Sequence, residues 1–291
     1  TISVTSGQVS GSGTTTITIN PSSDLTPGTD YYINIDATAF DNVDGVSYAG
    51  ISDSTTLNFT ASALTSYVSS DLKLLLDGST SSSGDSTWAD QSGNSNNATL
   101  QSVEYNSDNS GYWYLDGSTD WISLGTGSDF KQQVPITISI WVSMDNKNGL
   151  QALFCNYLNT SEGNLYNLFR FDNSDLRFYG SKVSGIGYQY VNASVGSIDS
   201  NTWYQLTVVI DGSMSSPTIK FYKNTTSSSH SFSYAFVPTA DLNDVDTRVG
   251  INASNNDDLQ GKIGVVMFYH KALSDSEVEQ NFNHFKSRYG Y

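Results

Sequence analysis

Basic residues are scarce in this sequence. Its 291 residues include 13 Lys and Arg against 29 Asp and Glu, which gives a formal net charge of −16. Nucleic-acid binding requires clustered Lys and Arg that neutralise phosphates, and anionic membranes attract the same side chains. No apolar run approaches the roughly 20 residues of a membrane span. The sequence therefore argues against a nucleic-acid partner and against membrane insertion.

Cysteine and glutamate are scarce as well. Cys155 is the only cysteine, so no intrachain disulfide can form. Its apolar neighbours Leu153 and Phe154 indicate a buried, unreactive thiol rather than a nucleophile. Only 4 of the 29 acidic residues are Glu, and Asp favours turns and caps over helix interiors. With 37% hydrophobic residues available for a core, the composition predicts an all-β chain with many polar turns.

A change in composition divides the chain into two segments. Residues 1–62 contain no Trp, no Cys and no basic residue, and their alternating apolar residues predict short strands separated by turns. These strands are predicted at Thr14–Asn20, Tyr31–Asp36 and Thr55–Thr60. The Ser- and Ala-rich stretch 63–70 is interpreted as a linker, and 71–291 as the second domain. Thr1 opens directly into strand-like sequence with neither an initiator Met nor a signal peptide, so we expect a piece of a longer polypeptide.

The first segment has a tyrosine strand at 31–36, an Asp44-Gly45 turn and a closing Asn58-Phe59-Thr60 strand. In these features residues 10–60 resemble the bacterial immunoglobulin-like modules that occur in tandem in surface-layer proteins and adhesins. The similarity covers the later part of such a module, whose opening strands are missing. An exposed strand edge would follow, and exposed edges pair with other chains. We therefore expect the segment to be a spacer or an element for self-assembly.

Strand signals recur through the second segment, together with one helix signal. The clearest strands are Leu72–Asp77, Tyr112–Asp116, Ile136–Val142, Tyr204–Ile210, Ile219–Tyr222 and Ile263–Tyr269. A helix is predicted after Ser274, because Ser274 and Glu277 form a capping box. Val278, Phe282 and Phe285 supply its apolar stripe. So many short strands predict a two-sheet sandwich.

Four groups of segments follow one another in this domain, three of them with Asp-Gly or Ser-Gly turns. They are LLLDG at 74–78 with WADQSGNSNNAT at 88–99, LDGSTDWI at 115–122, NTWYQL at 201–206 with DG at 211–212, and LQGKIG at 259–264 with HKALS at 270–274. In this order they resemble the laminin-G-like branch of the concanavalin A-like lectin and glucanase superfamily. The resemblance implies a partial Ig-like β-sandwich followed by a concanavalin A-like jelly roll with one short C-terminal helix. This fold hosts lectins, enzymes and structural modules, so it does not by itself name a ligand.

Enzyme signatures are missing from the chain. Glucanases of this superfamily carry a Glu-x-Asp-x-x-Glu type pattern with paired carboxylates. Here Glu104 and Glu162 are isolated, and Glu277 and Glu279 lie on the terminal helix. The three histidines have no His-Glu-x-x-His spacing, and no Gly-x-Ser-x-Gly motif is present. Because Asp pairs belong mostly to turns, we expect a protein that is not an enzyme.

Asp-rich turns make calcium an expected ligand. Ca²⁺ takes about six to eight oxygens from carboxylates and carbonyls. Asp116 and Asp120 lie in one turn and Asp257 and Asp258 in another, and related laminin-G-like domains hold calcium on loops at the sandwich rim. These four residues are the candidate metal ligands. The alternative is that they cap turns through hydrogen bonds to the backbone, as we expect for Asp90.

Sugar recognition requires aromatic platforms for the apolar faces of pyranose rings and planar polar groups for the hydroxyls. Aromatic residues in or beside predicted loops are Trp113, Trp121, Tyr157, Tyr166, Tyr179, Tyr188 and Tyr190. The preferred ligand-facing residues are Tyr188 with Tyr190, Tyr157 with Asn159, and Trp121. The alternative is that aromatic residues in a large sandwich belong to the core and to cross-strand pairs. Trp88, Trp141 and Trp203 are assigned to that scaffold.

Two functional classes remain open. The first is a non-catalytic, surface-displayed or extracellular carbohydrate-binding module of the lectin and adhesin type, assisted by calcium and bound to a carbohydrate or glycoconjugate surface. The second is a structural protein of a virion or cell surface, which uses the same fold for display and packing without an obligatory glycan. An assembly role predicts a stable oligomer, whereas a free lectin does not.

Overall fold

The computed structural model describes residues 2–14, 16–22, 25, 29–61, 66–130, 133–147, 149–160, 163–172, 175–181, 188–232, 235–236, 246–252 and 257–291, without the side chains at 128, 157–160, 163–167, 181, 188 and 189. The chain forms two compact units, Thr1–Thr65 and Ser66–Tyr291. The boundary between them lies inside the predicted linker. No helix in the described part of the chain is both long and apolar enough to cross a membrane.

The first unit has very short strands. They are β1 (Val9–Ser10), β2 (Thr18–Ile19), β3 (Asp30–Tyr32) and β4 (Asn58–Thr60). β1 pairs with β2 and β3 pairs with β4, both antiparallel, and an isolated bridge joins Ile35 to Ile51. The strands are shorter than the sequence predicts because two-stranded sheets are marginal without an apolar face to cover. Ile19 and Phe59 accordingly stay exposed.

The regular structure of the second unit consists mostly of strands. They are β5 (Leu72–Asp77), β6 (Thr87–Trp88), β7 (Ala98–Gln101), β8 (Glu104–Asn106), β9 (Tyr112–Asp116), β10 (Trp121–Ser123), β11 (Ile136–Met144), β12 (Leu150–Thr160), β13 (Gly163–Asp172), β14 (Asp175–Ser181), β15 (Tyr188–Ala193), β16 (Trp203–Ser213), β17 (Ser216–Lys223), β18 (Thr226–Ser231), β19 (Arg248–Val249) and β20 (Gln260–Tyr269). The six strands predicted in this segment are all present, and β5 and β9 have the predicted bounds.

These strands form two antiparallel sheets. The front sheet has the order β15-β14-β13-β12-β19-β10-β7-β6. The back sheet has the order β18-β17-β16-β11-β20-β9-β8, with β5 also paired to β20. The predicted two-sheet sandwich is therefore confirmed.

The main core lies between the two sheets. Ile136, Ile138 and Ile140 alternate along β11 and enter this core, as their period of two predicts. From the front sheet, Phe169 and Phe178 fill the same layer and are fully buried. Each such side chain stabilises the fold by about 1.5–3 kcal/mol through burial.

A second apolar cluster covers the outer face of the back sheet. Trp141, on the other face of β11, stacks on Phe282 at 5.5 Å and on Tyr289 at 4.4 Å between ring centres. Strand β11 is therefore buried on both faces. This explains why its polar residue Ser139 is buried with a hydrogen-bonded partner, the hydroxyl of Thr207 at 2.7 Å.

The predicted helix is α1 (Asp275–Phe285). Ser274 is its N-cap and forms the predicted capping box with Glu277, since each side chain meets the backbone of the other residue. Val278, Phe282 and Phe285 are buried against the back sheet. The apolar stripe is thus confirmed together with the cap.

The second unit begins close to this helix. Val68 is buried, donates its N–H to Asn281 Oδ1 at 2.8 Å and accepts from the Tyr269 hydroxyl at 2.9 Å through its carbonyl. The predicted linker extends to residue 70, so its final part belongs to the packed unit. Residues 62–65 lie outside the described part of the chain.

Three further predictions are confirmed by local packing. Asp90 caps its own turn, because its carboxylate accepts from the backbone N–H of Leu75, Ser92 and Asn96 at 2.9–3.0 Å. Cys155 is buried, as expected for an unreactive thiol. The scaffold tryptophans are also buried: Trp88, Trp141 and Trp203.

Candidate functional site

Polar and aromatic side chains meet on the outer face of the front sheet, across β13, β14 and β15. Phe171 and Phe178 face the core, so the intervening positions 170, 177 and 179 face outward under the two-residue period of a strand. We call the resulting group the arginine–tyrosine patch. Its members are Arg170, Asp172, Arg177, Tyr179, Tyr190 and Asn192.

Two arginines stand directly opposite each other in this patch, because the register pairs Arg170 with Arg177. Like charges in such a pair repel. Asp172 offsets the repulsion, since its Oδ2 lies 2.6 Å from Nη1 of Arg177 and 3.5 Å from Nη2 of Arg170. Asp257 adds a second carboxylate, whose Oδ2 accepts from Nη1 of Arg170 at 2.8 Å. The patch is therefore charge-balanced and its guanidinium groups are fixed in place.

The tyrosines pack against these guanidinium groups. Tyr179 is buried, and its hydroxyl accepts from Arg170 at 2.7 Å and from Arg177 at 3.0 Å. Tyr190 pairs with Tyr179 across the strands, with ring centres 5.2 Å apart, and remains 52% exposed. The guanidinium of Arg177 lies 4.8 Å from the centre of the Tyr190 ring. An aromatic surface thus faces solvent beside a fixed planar cation.

Arg177 keeps its charge in this setting. Burial alone would lower the pKa of Arg177, but the hydrogen bond to Tyr179 and the interactions with Tyr179 and Asp172 raise this pKa above its usual value. Its Nε donates to Oδ1 of Asn192, which also fixes the amide. The result is a set of oriented donors and acceptors next to an exposed ring.

One cross-strand row of residues runs from the patch across the front sheet, and its middle members Tyr179, Leu168 and Cys155 are buried. The register pairs Tyr190 with Tyr179, then Leu168, Cys155, Arg248 and finally Ser123. Near the far end, the guanidinium of Arg248 lies 5.1 Å from the ring centre of Trp121. Six strands, β15 to β10, take part, so with a spacing of about 4.8 Å the row spans roughly 24 Å.

The predicted ligand residues occur on this sheet. Tyr190 belongs to the patch, and Trp121 is half-buried near the other end of the row. The backbone of Tyr157 pairs with Tyr166, that of Asn159 with Asn164, and that of Tyr188 with Ser181. The side chains of Tyr157, Asn159 and Tyr188 lie outside the described residues.

The aromatic residues expected in or beside loops lie in strands, with Trp121 and Tyr188 at the first position of theirs. All seven lie in strands: Trp113 in β9, Trp121 in β10, Tyr157 in β12, Tyr166 in β13, Tyr179 in β14, and Tyr188 and Tyr190 in β15. Trp113 is moreover buried in the main core. The interspersed Asn and Gly residues suggested turns, but sheet pairing on both sides of β13 and β14 overrides that local preference.

Three charged members of the patch were not predicted from the sequence. Arg170, Asp172 and Arg177 occur as Arg170-Phe171-Asp172 and Arg177-Phe178-Tyr179. Such polar–aromatic–polar triplets are a strand signal, with one buried Phe between two outward side chains. Two arginines so close together in a chain with 13 basic residues are the signal that could have identified them.

The candidate metal ligands fall into two groups. Asp120 is buried, its Oδ2 accepts from the backbone N–H of Asp116 at 2.9 Å, and burial followed by the charge of Asp116 raises its pKa. Burial followed by the charges of Asp257 and Asp116 raises the pKa of Asp258, whose Oδ1 is buried without a hydrogen-bond partner. Asp257 is instead held by Arg170 and by Asn252, whose Nδ2 donates at 3.0 Å. Across the described ranges, no three His, Cys, Asp or Glu side chains are arranged to hold a metal ion.

Two known families match the chain. Residues 116–279 match the Concanavalin A-like lectin/glucanases superfamily through its laminin-G-like family, and residues 1–61 match the bacterial Ig-like domain. No curated protein sequence matches. The nearly all-β architecture and these two matches confirm the expected fold class and both resemblances.

Solved structures with the same fold include several binding domains. The botulinum neurotoxin serotype D ligand binding domain in complex with N-acetylneuraminic acid matches at 17% identity and a TM-score of 0.51, covering 74% of this chain and 51% of that one. Domain 4 of an extracellular arabinanase from Geobacillus stearothermophilus, in complex with arabinotriose, matches at 16% identity and a TM-score of 0.53. The match covers 72% of this chain and 98% of that domain. A mutant Trypanosoma rangeli sialidase displaying trans-sialidase activity matches at 17% identity and a TM-score of 0.56. The match covers 80% of this chain and 35% of the sialidase chain. The chain spans about half the length of the neurotoxin domains, and these identities show the fold alone.

Proposed function

Because the chain belongs to the concanavalin A-like lectin and glucanase superfamily, we propose that it is a non-catalytic carbohydrate-binding module displayed at an extracellular, cell or virion surface. Bacterial Ig-like and laminin-G-like domains are typical of extracellular proteins. The partner is a carbohydrate or glycoconjugate surface. The neurotoxin and arabinanase domains of the same fold bind sialic acid and arabinotriose, respectively.

The arginine–tyrosine patch carries this proposal. Tyr190 offers a half-exposed ring for the apolar face of a sugar, and Asn192 and Arg177 offer planar polar groups beside it. Asp172 holds Arg177 in place before any ligand arrives, so little side-chain entropy remains to be lost on binding. A charge-balanced face of this kind favours uncharged hydroxyls as hydrogen-bonding partners.

The cross-strand row favours a glycan chain over a single terminal sugar. Arg248 with Trp121 repeats the pairing of Arg177 with Tyr190 at the other end of a roughly 24 Å row, whose middle residues Leu168 and Cys155 are buried. Contacts at both ends require a ligand of several units. The proposed ligand-facing residues along this face are Trp121, Tyr157, Asn159, Tyr188 and Tyr190.

Calcium assistance is part of the proposal and concerns the rim of the same domain. Asp116, Asp120 and Asp258 are not arranged as a three-carboxylate metal site, so they would have to move closer together to hold the ion; the buried Asp258 Oδ1, which has no hydrogen-bond partner, is the atom that supports the proposal. Oxygens other than these carboxylates would complete the coordination. Asp257 would contribute only in competition with Arg170. The bound ion would neutralise the buried carboxylates and stiffen the two turns.

A non-catalytic role is supported by how the acidic residues of the patch are used. Asp172 and Asp257 are each paired with an arginine, so their oxygens hold the guanidinium groups of the patch in place. Glu277 serves the helix cap. These carboxylates are therefore structural in our proposal.

A structural assembly role is the second candidate, and one observation favours it. The first unit has an apolar groove of about 650 Å³ lined by residues such as Ile19, Leu25, Tyr32 and Phe59, all of them exposed. A strand from another copy would cover these side chains. Sedimentation of the full chain over a range of concentrations tests this proposal: self-association that Phe59→Ser weakens supports it, and a monomer at every concentration contradicts it.

A glycan array probed with the labelled full chain tests the carbohydrate proposal. We expect wild-type protein to bind a defined set of glycans and Tyr190→Ala to lose that set. Tyr48→Ala, a similarly exposed tyrosine of the first unit, is the matched control. Absence of binding by the folded chain, with calcium and with chelator, would overturn the proposal, and binding that survives chelation would remove calcium from it.

A further inference from the structure

A polar cleft lies on the outer face of the back sheet, on the opposite side of the sandwich from the arginine–tyrosine patch. Strands β16, β17 and β18 line it together with the start of α1 and the residues just before that helix. Its volume is about 570 Å³, within the range of roughly 300–1,000 Å³ that is usual for ligand sites. The proposed carbohydrate site does not use any of these residues.

One end of the cleft carries an accessible ion pair. Lys220 donates to Oδ1 of Asp275, and the Tyr222 hydroxyl donates to the same oxygen at 2.7 Å. The Lys220 side chain is 28% exposed and that of Asp275 is 73% exposed. An ammonium group has three N–H donors, so Lys220 has donors to spare for a ligand. A donor and an acceptor thus stand side by side, within reach of two neighbouring groups on one ligand.

Hydroxyl groups surround this ion pair. The register sets Ser229 opposite Lys220 and Ser231 opposite Thr218, and all four residues line the cleft. Each hydroxyl both donates and accepts hydrogen bonds. Val209 and Leu273 add buried apolar surface at the same place, which suits C–H groups.

The charges of the lining narrow the class of ligand. Lys220 contributes +1, and Asp211 and Asp275 contribute −1 each, so these three residues together carry a formal charge of −1. The two carboxylates disfavour an anion, and Lys220 disfavours an amine. A neutral ring with adjacent free hydroxyls satisfies the ion pair and the surrounding hydroxyls together. We propose that this cleft is a second binding site, specific for a neutral sugar residue with vicinal hydroxyls.

Binding sites on both the front and the back sheet would let one chain bind two sugars at once. A chain with one site per face can join two glycans instead of holding one, and a second contact on the same surface raises the apparent affinity through effective concentration. The second site requires nothing from the arginine–tyrosine patch. Its presence or absence therefore leaves the proposed function of the front sheet intact.

The test is a titration of the isotope-labelled full chain, followed through backbone amide chemical shifts. The probes are the methyl glycosides of glucose, galactose and mannose, with inorganic phosphate as the anionic comparison. We expect a glycoside to shift amides of β17, β18 and the first turn of α1. Lys220→Met should weaken this response about tenfold, the loss expected for one hydrogen bond to a charged group.

Three variants make the result decisive. Thr218→Val removes one hydroxyl without touching the ion pair and should also weaken the response. Lys223→Met changes a lysine of the same strand that does not line the cleft, and Tyr190→Ala removes the aromatic platform of the other sheet; both should leave the response unchanged. Shifts with phosphate alone, no shift with any glycoside, or full binding by both Lys220→Met and Thr218→Val would each overturn the proposal.

Discussion

The guanidinium of Arg177 lies 4.8 Å from the ring centre of Tyr190, and one of its nitrogens lies 2.6 Å from Asp172. The carboxylate orients the cation, and the cation in turn covers one part of an aromatic ring that is 52% exposed. The three residues come from three adjacent strands: Asp172 from β13, Arg177 from β14 and Tyr190 from β15. The geometry of the patch therefore depends on the register of β13, β14 and β15.

Arg177→Lys should weaken binding of the glycans selected on the array about tenfold. Lysine keeps the charge but not the planar set of donors or the stacking on Tyr190. Isothermal titration calorimetry with the selected glycan measures the change. Retention of wild-type affinity would contradict a role for the guanidinium.

Arg248→Lys is the matched substitution at the other end of the row. It should weaken binding of long oligosaccharides and leave the binding of short ones unchanged, because only a long ligand reaches Trp121 from Tyr190. The same calorimetric series over increasing chain length checks this. Equal losses for short and long ligands would place the ligand elsewhere on the sheet.

Asp172→Ala should lower the free energy of unfolding by about 3 kcal/mol. The substitution leaves Arg170 and Arg177 face to face in a largely buried setting, and an uncompensated buried charge is strongly destabilising. Urea denaturation followed by tryptophan fluorescence measures the loss. The control is Asp199→Ala, whose side chain is 63% exposed and 3.8 Å from Lys147, where solvent screening limits the effect to about 0.5 kcal/mol.

Asp258→Asn should stabilise the protein at neutral pH in the presence of chelator. Burial and the charges of Asp257 and Asp116 raise the pKa of Asp258 in the folded state, so the folded protein binds a proton more tightly than the unfolded chain does. Its contribution to stability therefore increases as the pH falls from the raised pKa towards the ordinary value of 3.8, and is lost above the raised pKa. Asparagine removes this pH dependence.

Thermal unfolding over a pH series, with calcium and with chelator, measures both effects of Asp258. If calcium binds at the rim, wild-type protein gains stability on its addition and Asp258→Asn gains less. A wild-type melting temperature that calcium does not change would contradict the calcium site and leave the pH prediction standing.

Ser274→Ala should cost about 1 kcal/mol of stability, because it removes the side chain that accepts the N–H of Glu277 at the start of α1. Ser274→Gly should cost only a few tenths of a kcal/mol, since glycine is tolerated at an N-cap. Chemical denaturation of the two variants checks the order. Equal stability of the alanine variant and wild type would show that the apolar stripe alone holds the helix.

The sequence predicted the structure correctly where a residue interacts mainly with its neighbours along the chain. The alternation of Ile136, Ile138 and Ile140 predicted a strand and its buried face, and Ser274 with Glu277 predicted the start of α1. The Asp90 turn was predicted correctly because its carboxylate acts on nearby backbone groups.

The candidate site was less predictable because it depends on pairing between strands. Tyr190 was identified as an exposed aromatic residue, but its strand was not, since Tyr and Asn on an outward face resemble turn residues when the register is unknown. Arg170 and Arg177 become a pair only through that register. The hydrogen bond from Arg170 to Asp257 joins residues 87 positions apart, so no pattern of neighbouring residues predicts it.

The attachment of Val68 has a mechanical consequence. Its backbone is bonded to Asn281 of α1 and to Tyr269 of β20, and Gln280 Nε2 donates to the carbonyl of Ser66 at 2.9 Å. A pulling force that enters the second unit at Ser66 is therefore not applied first to an edge strand that could peel away. It passes into β20, which has paired neighbours on both sides, so the load is shared across the middle of the back sheet.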